Sequence, residues 1–171
     1  MSETPVDPDP PLGTAGAEAL NEALVAFTGC IGEAVPDICS YGLTIGDSYV
    51  PFDPDETDPC DEDEAICSQV WVRVGDVTPS PSQGWDSDCA TVMNLTLEVG
   101  VLRCIEIQGK GEAPTASEVL LAAMQSMSDM NVIYCAAMSC EVWSAIDAGT
   151  WVPLGPDGGQ YGGIWTFTVE V

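Results

Sequence analysis

The residues able to do chemistry in this 171-residue chain are lopsided: 28 are Asp or Glu, three are Lys or Arg, eight are Cys and none is His. Without imidazole there is no Ser-His-Asp or Cys-His nucleophile and no histidine metal ligand. The formal charge is −25, and Arg73, Arg103 and Lys110 are the only cations. They cannot form the basic footprint that phosphate neutralisation requires, which argues against direct nucleic-acid binding. Paired carboxylates abound, Asp86 with Asp88 for example, but among 28 acids no single pair identifies a hydrolase or a divalent-metal enzyme. Residues 53–64 (DPDETDPCDEDE) come nearest to a cation site. They lack the Asp-x-Asp-x-Asp-Gly spacing and the glycine of a calcium loop, and read as a solvated acidic loop. The expectation is a non-enzyme with no catalytic residue, no cofactor and no metal.

The cysteines are Cys30, Cys39, Cys60, Cys67, Cys89, Cys104, Cys135 and Cys140, and none belongs to a C-x-x-C pair. Structural zinc usually presents such short pairs, so the spacing argues against it. Met1 to Pro11 holds acids and prolines where a secretory signal would carry basic and then apolar residues. Reduced thiols packed as small apolar residues are therefore the default expectation. The even count leaves disulfides open, with Cys60–Cys67 the suspected pair because it would staple the acidic loop. A secreted, disulfide-stapled binding module is the corresponding alternative. No run of 18 or more apolar residues is present, so no membrane partner is expected.

The elements that must position these groups follow from periodicity. Residues 1–13 read as a disordered acidic, Pro-rich arm, and 14–171 as one domain. A helix is predicted from Thr14 to Phe27, with Thr14 as N-cap and Ala17, Leu20, Leu24 and Phe27 as its stripe; Gly29, Gly32 and Pro36 end it. A short strand fits within Tyr41 to Phe52, and Val70–Val74 alternates as a strand. Asp76 to Asp88 reads as a long loop. Ala90 to Ile107 reads as the longest strand, with Met93, Leu95, Leu97 and Val99 on one face and a bulge at Gly100. Thr115 with Glu118 forms a capping box for a second helix, whose core stripe is Val119, Leu120, Ala123, Met124 and Met127. Asp129 interrupts that helix or restarts another, and the methionines are read as core fillers. Trp151–Leu154 is an edge strand, since Pro153 has no amide to donate. Residues 155–159 form a turn, and Ile164 to Val171 is a closing strand with Trp165, Phe167, Val169 and Val171 on one face. The fold class is α+β: an antiparallel (mixed) sheet covered on one face by two or three helices.

Arg73 and Arg103 fall within strands, where each must find a carboxylate, either in its own chain or across a subunit interface. On the second reading Arg103→Glu impairs oligomer formation and leaves the monomer folded. Trp85, between polar segments, is a candidate docking group.

In this order the helix at 14–27, the strands VWVRV and LTLEVGVLRC, the helix after Ala113-Pro114-Thr115 and the ending WVPLGPDGGQYGGIWTFTVEV resemble the tail terminator proteins of long, non-contractile-tailed phages, actinobacteriophage type. The acidic loop and the eight cysteines depart from the general pattern. The resemblance implies a structural virion protein located at the neck and assembled in the host cytoplasm. It implies a ring of this chain, six copies in the family, that caps the tail tube protein and joins a head-completion (stopper) protein. DNA would cross the bore without specific binding. A 171-residue globule is about 40 Å across, and six in a ring leave a hole of that order, wide enough for a duplex of about 20 Å. An acidic lumen would discourage DNA from sticking, whereas plain solubility or adaptation to high salt explains the same charge. Another neck ring, a head-closure protein or a connector adaptor, is the alternative.

Overall fold

The computed structural model of the protein describes residues 13–44, 68–79, 93–105, 113–157 and 160–171. The elements are α1 (Gly13–Ala34), β1 (Ser40–Thr44), β2 (Gln69–Pro79), β3 (Met93–Cys104), α2 (Ala116–Ser139), β4 (Ile146–Asp157) and β5 (Gln160–Glu170). The strands form one sheet in the order β1-β2-β3-β5-β4. β1 runs parallel to β2, and the other pairs are antiparallel. Both helices pack on one face, which gives the mixed α+β architecture expected. The core interleaves Leu24, Phe27 and Ile31 of α1 and Ile133 and Ala137 of α2 with alternate residues of β2, β3 and β5, including Val70, Val72, Leu97, Val99, Val101 and Phe167. Phe27 meets Phe167 edge-on with ring centroids 6.5 Å apart, a favoured aromatic geometry that ties α1 to the sheet.

Several local expectations are corrected. α1 continues through Gly29 and Gly32 to Ala34, and Thr14 lies inside it instead of capping it. A Cβ on Gly32 would overlap the Tyr41 ring, so this glycine marks a close approach of helix to strand and not a helix stop. Asp76 to Pro79 belong to β2; the ladder is irregular between Val74 and Asp76 and then resumes. β3 has no bulge at Gly100, which stays in register with Trp71 on one side and Ile164 on the other. Gly100 is there because the Trp71 ring occupies the space a side chain would take. Beyond it Val101, Leu102 and Arg103 are all buried, so both faces of β3 are covered and the alternation fades.

α2 is one uninterrupted helix of 24 residues, opened by the Thr115/Glu118 capping box. Its buried residues are Ala122, Asp129, Ile133 and Ala137. The expected core stripe faces solvent: Val119, Leu120, Ala123, Met124 and Met127 are exposed, as is Met138. The methionines of α2's outer side are therefore not core fillers. β4 is an edge strand, as Pro153 requires, and it extends through Gly155 to Asp157 in place of the turn expected to begin at residue 155.

The cysteines are not all reduced. Cys30 of α1 is bonded to Cys140 at the C-cap of α2, with S–S 2.12 Å and Cα atoms 6.2 Å apart, a separation a disulfide spans readily. Cys39 and Cys104 are also disulfide-bonded, while Cys135 is a free, exposed thiol. Of the arm expected at 1–13, Gly13 instead opens α1, and residues 1–12 lie outside the described residues, as do the acidic loop at 53–64, the Cys60–Cys67 pair, Trp85, Asp86 with Asp88, and Lys110. The Cys30–Cys140 bond closes a separation of 110 residues, and bonds of this kind constrain the unfolded chain most. Replacing both by Ser should lower unfolding free energy by about 2–5 kcal/mol. Guanidinium titration measures this, and an unchanged midpoint would show that the helix ends are held by packing alone.

Candidate functional site

The centre of the molecule is a buried ion pair. Arg103, near the end of β3, is 6% exposed, and Asp129, midway along α2, is 0% exposed. Arg103 Nε donates to Asp129 Oδ2 at 2.7 Å and Nη2 donates to Oδ1 at 2.8 Å, a fork-to-fork geometry. The same guanidinium reaches the turn after α1, where Nη2 donates to the Pro36 carbonyl at 2.8 Å and Nη1 to the Asp37 carbonyl at 3.2 Å. Gln125, one turn before Asp129, donates to Oδ1 at 3.1 Å. Burying two charges carries a large desolvation cost, and only so complete a set of donors and acceptors makes it tolerable. The turn takes a conformation suited to this role: Asp37 has φ of 55°, a left-handed backbone that Asp adopts more easily than most residues. Tyr161, opposite Arg103 in the ladder, has its hydroxyl pKa raised, chiefly by burial and against the pull of Arg103.

Arg73 is also paired within the chain. Its Nη2 lies 2.6 Å from Oε2 of Glu98, directly across the β2–β3 ladder on the sheet face away from the core. Each strand cation thus has a carboxylate partner within its own chain. The expectation for Arg103→Glu changes accordingly: a carboxylate there would face buried Asp129, and the monomer itself would fail. Arg103→Met and Asp129→Leu should each cost about 3–5 kcal/mol, because each strands a buried charge. The double variant should cost far less than their sum. Urea denaturation of the four proteins measures the coupling, and additive losses would show that the pair is not the unit described.

Above this pair lies a second feature, which no motif announced. Beside α2 runs an apolar groove of about 360 Å³, walled by Val119, Ala123 and Met127 of α2 and by Trp151, Pro153 and Leu154 of β4. Ile105 and Tyr161 also line it. Its walls are anchored. A Cβ on Gly163 would collide with the Trp151 ring, so that glycine lets the indole lie against β5. Trp165 sits next to Trp151 with centroids 6.0 Å apart and donates its Nε1–H to the Met130 carbonyl at 2.8 Å. Ser126 donates to the Gly162 carbonyl at 3.0 Å, a second clamp of α2 on β5.

The outer side of α2 continues the groove with Leu120, Met124 and Met127, which are 61%, 60% and 65% exposed. Among its 24 residues α2 carries two charges, Glu118 and Asp129. Asp129 is consumed by Arg103. Glu118 is engaged in the capping box, where the hydrogen bonds from the Thr115 side chain and backbone lower its pKa. A depressed carboxylate pKa adds stability that is present above its ordinary value and is lost as pH falls through the lowered one. The protection factor of the Val119 amide, whose N–H donates to the Thr115 carbonyl, should therefore fall under acid before those of the helix centre do. Uniform exchange along α2 would contradict that order.

The groove and ridge were missed because apolar residues at helical spacing read as core. One signal was available: Asp129 shares the seven- and four-residue spacings of Ala122, Ile133 and Ala137, and so belongs to their face. Among the described residues no three acids or cysteines converge as a metal site, and no helix is long and apolar enough to cross a membrane. The fold and this surface define an α+β protein with an uncharged, apolar helix face on an acidic body. The chain matches no known family profile, and no curated protein sequence is significantly similar to it.

Proposed function

We propose that the chain is a structural virion protein: a subunit of a neck ring, most specifically a tail terminator, that caps the tail tube and joins it to the head-completion complex. The observation that carries this reading is α2, apolar on the side that packs on the sheet and apolar again on the side that meets solvent. Large apolar side chains on a helix are ordinarily buried, and here a ridge of them, Leu120, Met124 and Met127, is left open to be covered by assembly. The groove beside it offers apolar walls for a protein surface and has no cluster of acids for catalysis among the described residues. The resemblance in element order supplies the biological setting. The ring would contain about six copies, as in that family, and its acidic bodies would leave DNA a channel to which it does not bind.

Electron microscopy of the purified chain mixed with tail tubes tests the proposal. A closed ring at one end of each tube is the expected result. Rings found only on heads would favour the head-closure or adaptor reading. Particles carrying the chain away from the neck would overturn both.

A further inference from the structure

We infer that the groove between α2 and β4 is filled by the outer ridge of α2 from a second copy of this chain. The inference deepens the neck-ring reading, on which it rests for its setting, by naming the surface through which one copy meets the next. Charge is the first argument. Two bodies of formal charge −25 repel, and they can approach closely only where neither presents a charge. From Val119 to Met138 the only carboxylate on α2 is Asp129, which is buried and paired, and the span holds no Lys or Arg, so the strip beside the groove carries no Asp, Glu, Lys or Arg charge over five helical turns. The exposed acids of the described chain lie elsewhere, at Glu18, Glu22 and Glu33 on α1, Asp37 in the turn after it, Asp76 on β2, and Glu141, Asp147 and Glu170 at the other margins.

Area is the second argument. α2 is about 36 Å long, and ridge plus groove span about 20 Å, the width of a helix and of the layer beside it. The strip is thus on the order of 700 Å². A head-to-tail contact takes the ridge half from one copy and the groove half from the next, so the whole strip of each copy is covered, near the roughly 800 Å² of a standard partner surface, once both neighbours are seated. The chemistry of the two parts also matches. Leu120, Met124 and Met127 are flexible apolar knobs, and the cleft beside Trp151 and Pro153 is a rigid apolar hole. Ridge and groove adjoin on one helix, so every copy carries both halves of the contact.

This interface has a distinctive salt dependence. Its attraction is apolar and unscreened, whereas the opposing repulsion is screened over about 10 Å at 0.1 M salt and about 3 Å at 1 M. Self-association should therefore strengthen with salt. Sedimentation velocity of the full chain in low salt and in about 1 M salt should show apparent association at least tenfold tighter in the latter. Met127→Glu and Leu120→Glu should remain monomeric in both, with unchanged circular dichroism, because these side chains already face water. As a second readout in a Cys135→Ser background, Met124→Cys combined with Pro153→Cys should form covalent multimers on oxidation.

A wild-type chain that stays monomeric in high salt, or a Met127→Glu variant that associates like wild type, would overturn the inference and give the groove to a different occupant. The two readings fail separately. Normal rings at tube ends built from Met127→Glu would remove this interface and keep the neck ring. Salt-driven association without rings on any tube would keep the interface and remove the neck ring.

Discussion

The contact between Arg103 and Asp129 decides which way α2 faces. A carboxylate in the middle of an apolar helix must either turn outward or find a cation inside, and the fork from β3 draws it inward. Once Asp129 is fixed beneath the helix, the turn of about 100° per residue assigns every other position. Ala122, Ile133 and Ala137 share its side and meet the sheet. Leu120, Met124 and Met127 fall on the far side, where they are exposed. Hydrophobic burial alone would favour the opposite rotation, with the leucine and methionines against the sheet. The ion pair thus selects an orientation at the expense of apolar burial, a use of buried charge that favours specificity over stability.

The same guanidinium also holds the turn after α1 through the carbonyls of Pro36 and Asp37, so one side chain locks three elements together. The Cys30–Cys140 disulfide joins the two helices at the end remote from the groove. Ser126, Trp151 and Trp165 secure α2 to β4 and β5 near the groove itself. The apolar ridge is consequently presented on a rigid support. Such a support suits the contact proposed for this −25 chain, because an apolar strip that could roll inward would hide itself. The oxidised Cys30, Cys140, Cys39 and Cys104 add covalent restraint to this framework.

Much of the architecture was legible where local rules act alone. The Thr115/Glu118 box, the edge position demanded by Pro153 and the alternating faces of β3 and β5 depend on near neighbours, and each appears as read. The misreadings arise where tertiary contacts override local signals. Gly32 and Gly100 look like breakers in sequence, yet each makes room for an aromatic ring from another element, Tyr41 and Trp71. The α2 stripe was placed inward because periodicity finds an apolar face without saying what covers it. Arg103 was recognised as needing a carboxylate, but its partner lies 26 residues away on a helix whose rotation depends on the pairing itself.

The central claim is that the face of α2 left uncovered in one chain is covered in the assembled particle. Hydroxyl-radical footprinting with mass spectrometry reads this directly from the oxidation of Met124 and Met127 in the free chain and in particles. The account predicts rapid oxidation of both in the free chain and protection of at least tenfold after assembly, while Cys30–Cys140 stays intact in each. Equal oxidation in the two states would contradict it.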